Sequence, residues 1–240
     1  MTVDLFIPCF VDQLYAETAT NMVQILRNLR VDVHYNSSQT CCGQMAYNSG
    51  FFDEAKSIGE KFIRDFPNDR PIISPSASCT GFIKNFYPSL FHNTALHNEV
   101  KVVRRNMFEF TDFIINVLKI ESLEATFNHV VTYHDSCASL REYGLKDQPR
   151  QLLRMVKGLE LREMHDHDVC CGFGGTFAVK HEAISVAMTQ QKVENAIETG
   201  AEYIVSTDSS CLLNMQAYID KQNLSIKTIH IIDLLAVAMV

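Results

Sequence analysis

The chain has 240 residues, 47% of them hydrophobic and 20% charged, with a net charge of −7 and eight cysteines. That balance excludes a disordered chain, and the acidic surplus argues against nucleic acid as a partner. The longest near-apolar run, residues 231–240, is far shorter than the ~20 residues a membrane helix needs and carries Asp233, so the chain reads as not transmembrane.

The first residues, MTVDLFIPCF, lack the basic start of a secretory signal and read as part of the fold. Within them, residues 3–7 form a short apolar run that predicts a buried strand ending before Cys9. Residues 16–29 have helical periodicity, with Met22, Ile25, Leu26 and Leu29 on one face. A strand at 31–35 leads to Cys41-Cys42-Gly43, and a helix at 51–66 follows it. A third strand, 71–74, ends before Cys79, with a helix at 81–91. The half closes with a strand at 102–103 and a helix at 111–118.

The same order then recurs. A strand at 130–133 precedes Cys137, and a helix at 149–157 carries Pro149 in its first turn, where proline is tolerated. A strand at 159–164 leads to Cys170-Cys171-Gly172, followed by a helix at 177–199. A strand at 203–206 ends before Cys211, followed by a helix at 212–221, a strand at 227–229 and a helix at 233–240. Alternating strands and helices imply an α/β fold. The expectation is two pseudo-symmetric βα-repeat halves, 1–123 and 124–240, each with a small parallel sheet flanked by helices. Ligands of such sheets sit outside the carboxyl ends of the strands, where these cysteines fall.

The cysteine spacing carries the repeat. Cys9 to Cys41 is 32 positions and Cys137 to Cys170 is 33; Cys42 to Cys79 is 37 and Cys171 to Cys211 is 40. At this composition one CCG tripeptide is expected on the order of 0.01 times per chain. Two copies with matched flanking cysteines are an internal repeat that uses all eight. Adjacent thiols make a poor disulfide, because the bridge closes a strained ring. Adjacent thiolates on a glycine turn suit a soft or borderline centre, zinc or an iron–sulfur cluster. Structural zinc usually draws on short CxxC knuckles. Here the ligands are spread over separate loops, which suits a cluster in a cleft. A lone cysteine is more often an inert core residue, but a duplicated set is not.

This pattern resembles the cysteine-rich CCG domain family. Its members include the cysteine-rich subunit of heterodisulfide reductase, the iron–sulfur subunits of glycolate oxidase and anaerobic glycerol-3-phosphate dehydrogenase, and lactate utilisation protein A. The segments His134–Glu142 (HDSCASLRE), Cys170–Lys180 (CCGFGGTFAVK) and Ser74–Cys79 (SPSASC) are most similar to the lactate utilisation members. The resemblance implies a cytoplasmic oxidoreductase subunit that transfers electrons through iron–sulfur clusters, up to one per half and of the 4Fe-4S type. It implies an L-lactate-oxidising complex, lactate going to pyruvate, with lactate utilisation proteins B and C as partners. The metal ligands would be Cys9, Cys41, Cys42, Cys79, Cys137, Cys170, Cys171 and Cys211. Aerobically prepared protein could instead show empty sites or adventitious zinc. The alternatives are a zinc-stabilised interaction scaffold, or a thiol/disulfide redox subunit of the heterodisulfide reductase kind. Two departures bear on the last. The fuller motif ends in CxxC, and its first position is Ser76 in one half and Asp208 in the other. The chain also lacks a ferredoxin-type CxxCxxCxxxCP run, so electrons would exchange with a separate cluster-bearing subunit.

Accessory residues gather in the second half. Gly172, Gly174 and Gly175 precede a predicted helix and offer backbone N–H groups to an anion, or serve only close packing. No GKS or GKT follows, so this is not a nucleotide loop. The first half has Gln44-Met45-Ala46 there, which makes the second half the more reactive candidate. His134, His165 and His167 can hydrogen-bond sulfur or move a proton, though the HDHD run also reads as a solvated loop. Arg141 suits a substrate carboxylate or a surface ion pair. Asp208 suits an oxygen ligand or a helix N-cap, and Ser76 a turn hydroxyl. Arg104-Arg105 reads as solvated.

Overall fold

The computed structural model describes residues 1–239. Each half is a four-stranded, wholly parallel sheet. In the first, β1 (Thr2–Leu5), β2 (Asp32–Tyr35), β3 (Ile72–Ser74) and β4 (Met107–Glu109) lie in the order β2-β1-β3-β4. In the second, β5 (Val130–Tyr133), β6 (Glu160–Leu161), β7 (Tyr203–Ser206) and β8 (Lys227–His230) repeat that order as β6-β5-β7-β8.

The first half's helices are α1 (Cys9–Leu14), α2 (Ala16–Asn28), α3 (Gln44–Asn48), α4 (Phe52–Asp65), α5 (Ala77–Leu90), α6 (His97–Asn106) and α7 (Phe110–Asp112), the last running into a π-helical turn, Phe113–Val117. A second π turn, Ser139–Tyr143, opens the other half's set, followed by α8 (Asp147–Arg154), α9 (Phe177–Lys180), α10 (Glu182–Glu198), α11 (Ser209–Gln222) and α12 (Ile231–Ala238).

Strand alternation decides what each sheet face buries. Val3 and Leu5 of β1 join Val131, Tyr133 and Val205 of the second sheet in one apolar cluster between the sheets. Phe6 and Ile72 turn outward to α4, α5 and α6, and Ile204 turns outward to α10 and α11. Terminal helices cross over. α12 of the second half packs on α2 of the first, and α7 of the first packs on α8 of the second. Polar clasps hold both crossings. Asp233 accepts from Thr18 Oγ1 at 2.7 Å and Asn21 Nδ2 at 2.9 Å, and Asp112 accepts from the Tyr143 hydroxyl. Each crossing helix is capped by the last residue of its preceding strand. Glu109 accepts from the N–H groups of Thr111 and Asp112, and His230 Nδ1 accepts from Ile232 N–H.

Three expectations need correction. The strand expected at 102–103 lies within α6, because Val100 and Val103 are buried on one helical face; the strand follows at Met107–Glu109. The helix expected over 177–199 breaks at His181, whose φ of −132° and ψ of 51° are not helical. Helices expected from 81 and 212 start at Ala77 and Ser209, after N-cap positions Ser76 and Asp208, which draws Cys79 and Cys211 into first turns. The last helix runs Ile231–Ala238; Val240, the end of the segment expected to be helical, lies outside the described residues. No helix among the described residues is long and apolar enough to cross a membrane.

Candidate metal centre

All eight cysteines are free thiols and line one cavity of about 270 Å³ between the halves, at the carboxyl ends of the strands. Cys9 opens α1 directly after β1. Cys41 and Cys42 lie in the loop after β2, and Cys79 sits in the first turn of α5 after β3. Cys137, Cys170, Cys171 and Cys211 repeat these places around β5, β6 and β7.

Within the first set, Cys9 Sγ is 3.5 Å from Cys41 Sγ and Cys42 Sγ is 3.3 Å from Cys79 Sγ. Gly43 N–H points at Cys41 Sγ at 3.4 Å, and Gly172 N–H at Cys170 Sγ at the same distance. Hydrogen bonds from the Cys42 and Cys9 thiols, helped by that N–H, pull the Cys41 thiol down to about 3. Bonds from Cys137 and Cys171 pull Cys170 down to about 2. The donating thiols Cys9, Cys42, Cys137 and Cys171 are pushed up correspondingly. One favoured thiolate per half, with three sulfurs beside it, is a donor set that fits a thiophilic centre. The turn needs glycine, since Gly43 has φ +91° and Gly172 has φ +89°. The carbonyl behind each pair is tied down differently. Tyr87 donates to Cys42 O at 2.8 Å, whereas Thr189 and Asn214 donate to Cys171 O at 2.9 and 3.1 Å.

Ser76 and Asp208 meet each other. Asp208 holds the N-cap position of α11, yet its carboxylate does not cap that helix. Oδ1 accepts from Ser76 Oγ at 3.1 Å, Ser78 N–H at 3.1 Å and Ser78 Oγ at 2.7 Å, and Oδ2 accepts from Ser136 Oγ. Ser76 does cap its own helix, its hydroxyl accepting from Cys79 N–H at 3.4 Å. The buried Asp208 carboxylate thus stitches the halves together between the two cysteine sets.

The other candidates separate. Gly174 and Gly175 line the cavity, and a Cβ on Gly175 would lie 3.0 Å from Met45 Sδ of the first half. His134 is fully buried, and its ring reaches within 4.8 Å of the Cys171 and Cys211 sulfurs. His167 Nδ1 bonds Asp135 Oδ2 at 2.7 Å, within a network where Arg150 grips the same carboxylate at 3.0 and 2.6 Å. His165 faces solvent. Arg141 is exposed outside the cavity lining, reaching only the Asp168 carbonyl at 3.4 Å. Sequence reasoning passed over Lys192, Ser78 and Ser136. Lys192 had a signal: it falls on the buried stripe of α10 with Ser185, Thr189, Val193 and Ala196.

The chain matches the family described as the cysteine-rich domain CCG over residues 3–84 and 131–216. It is 39% identical to lactate utilization protein A of Oceanobacillus iheyensis over 236 residues, covering 98% of this chain and 96% of that one. It is 38% identical to the protein of that name from Bacillus subtilis, covering 98% and 99%. Among solved structures, a hypothetical protein from Helicobacter pylori superposes with a TM-score of 0.63 at 10% identity, over 99% of this chain and 49% of that one, a likeness of fold alone.

Proposed function

Because the chain belongs to the CCG cysteine-rich domain family, we propose that it is an iron–sulfur electron-transfer subunit serving lactate utilisation in the cytoplasm. The observation that carries this is the convergence of two four-cysteine sets on one cavity between two parallel sheets. We assign one centre to each half, 1–123 and 124–240, held by Cys9, Cys41, Cys42 and Cys79 and by Cys137, Cys170, Cys171 and Cys211. When bound, 4Fe-4S clusters there would supply one-electron chemistry. The chain's own groups supply the setting. Gly43 and Gly172 direct N–H groups at sulfur, which favours its anionic form. Cys9, the exposed member, marks the side from which a partner approaches.

The names of the relatives supply the metabolic setting, and identity over 98% of the chain supports carrying it across. Oxidation of L-lactate to pyruvate releases two electrons and two protons. We assign that step to partners of the lactate utilisation B and C type, with electrons entering or leaving this chain one at a time. Anaerobic reconstitution should load iron and acid-labile sulfide into both halves, and Cys41→Ser plus Cys170→Ser should lower both. Equal iron in that variant would sink the assignment. One zinc per half without visible absorption would favour a structural scaffold. Metal-free protein that turns over a dithiol would favour disulfide chemistry.

A further inference from the structure

The two cysteine sets are alike, but the walls behind them are not. Phe6, three residues before Cys9, and His134, three before Cys137, occupy the same place after the first strand of each half. The Ala55 carbonyl packs on Gly43 as the Ser185 carbonyl packs on Gly172, which sets the register of α4 against α10. In that register Phe62 and Lys192 are equivalent. Behind the first set, Phe6 meets Phe62 edge-on with centroids 4.8 Å apart, in an apolar cluster that includes Cys42. Behind the second set stand an imidazole and an amine.

His134 is fully buried and neither ring nitrogen has a hydrogen-bond partner. A neutral imidazole carries one N–H donor and one acceptor, and leaving either buried and unmatched is costly. The ring lies within 4.8 Å of Cys171 and Cys211 Sγ, so sulfur of the second set is within reach of a donor there. Lys192 is 1% exposed and donates to the Asp166 carbonyl. Its charge is felt at Cys171 and His134, with Asp135, Asp166 and Asp168 around it.

We propose that His134 donates a hydrogen bond to sulfur of the second-half centre and, with Lys192 behind it, makes that centre the electron-accepting end of the pair. This rests on the electron-transfer reading above. Donors to sulfur and nearby positive charge stabilise a reduced, more negative centre. The aromatic wall of the first half offers neither. Centres held by these residues would favour the electron in the second half, where Asp135, Arg150 and His167 continue the polar wall outward.

The test uses full-length protein reconstituted without oxygen, with iron and sulfide counted and potentials followed by electron paramagnetic resonance. Cys41→Ser plus Cys42→Ser leaves the second centre for study, and Cys170→Ser plus Cys171→Ser the first. His134→Phe should weaken the second centre's hold on its electron at least tenfold, about 59 mV lower for a one-electron couple. It should leave the first centre unmoved. His134→Gln, which keeps an N–H donor, should recover part of the shift, and Lys192→Met should lower the potential in the same sense. Loaded protein whose second centre is unmoved by His134→Phe overturns this inference alone. So does loss of iron from the second half in His134→Gln, since the ring is then a ligand and not a donor. Wild-type protein that takes up neither iron nor sulfide overturns the electron-transfer reading and this inference with it.

Discussion

The two halves of the molecule have the same strand order, the same cysteine placement and the same glycine turn, yet key residues behind that frame differ. Phe6 and Phe62 stand against His134 and Lys192; Tyr87 against Thr189 and Asn214; Ser76 against Asp208; Glu109 against His230. The donors are duplicated and their surroundings are not. Two centres held by equal cysteine sets within unequal walls would not be redundant, because the groups around a centre tune what it does with charge.

The largest break in the comparison is to separate the halves. α12 lends Ile231, Ile232, Leu234 and Leu235, none more than 2% exposed, to the core shared with α2. Burying four such side chains contributes roughly 6–12 kcal/mol at about 1.5–3 each, against a typical total of about 5–15. Residues 1–123 and 124–240 expressed apart should each lack a cooperative thermal transition, and co-expression should restore one. Two independent transitions in the fragments would mean that each half carries its own core. Next comes Asp208→Ala, which leaves the donors of Ser76 and Ser78 unmatched across the seam and that of Ser136 unmatched within the second half. A loss of about 4 kcal/mol is expected in urea unfolding. Asp208→Asn should recover part of it, as the amide oxygen still accepts.

How much of this was legible beforehand follows from what each signal measures. Cysteine spacing and short apolar runs report local chain order, so the repeat, the parallel sheets and the eight candidate ligands were readable. Adjacent Val102 and Val103 suit a short strand by propensity, but Val100 and Val103, three apart, share one helical face, and that spacing decides the segment. Asp208 was read as ligand or cap. Its partners Ser76 and Ser78 depend on how the halves dock, and Ser136 on how β5 and β7 pair within the second half, neither of which spacing encodes. Lys192 was missed for a different reason. Aligning the halves on cysteines alone stops short of the helix register that pairs it with Phe62.

A smaller effect separates Glu109 from His230, the caps of the crossing helices. Burial pushes Glu109 from 4.5 to about 8, so the folded chain keeps a proton that the unfolded chain releases above 4.5. Stability from this group is full below 4.5 and falls as pH rises towards 8. Burial lowers His230 below 6.5, so the unfolded chain takes up a proton that the folded one refuses, and stability falls as pH drops below 6.5. His134, pushed down to about 3 chiefly by burial, acts in the same direction. Glu109→Gln should therefore flatten the alkaline limb, and His230→Gln part of the acid limb. Urea midpoints from pH 5 to 9 read both. Parallel curves for wild type and Glu109→Gln would mean that the carboxyl ionises normally in the folded state.

The smallest contrast lies in the turns themselves. Gly43 and Gly172 share a left-handed backbone, so alanine costs about 1–2 kcal/mol of backbone strain at either. The space differs. A Cβ on Gly43 would meet the Ala55 carbonyl at 3.0 Å, a tight contact, whereas one on Gly172 would meet the Ser185 carbonyl at 2.6 Å, which forces α10 to move. The Ser185 hydroxyl also donates to Gly172 O at 2.9 Å, so that movement breaks a buried hydrogen bond. Gly172→Ala should thus cost about 1 kcal/mol more than Gly43→Ala in paired denaturation curves. Equal losses at the two glycines would show that α10 yields as readily as α4, and that the second half's turn is no more tightly built than the first.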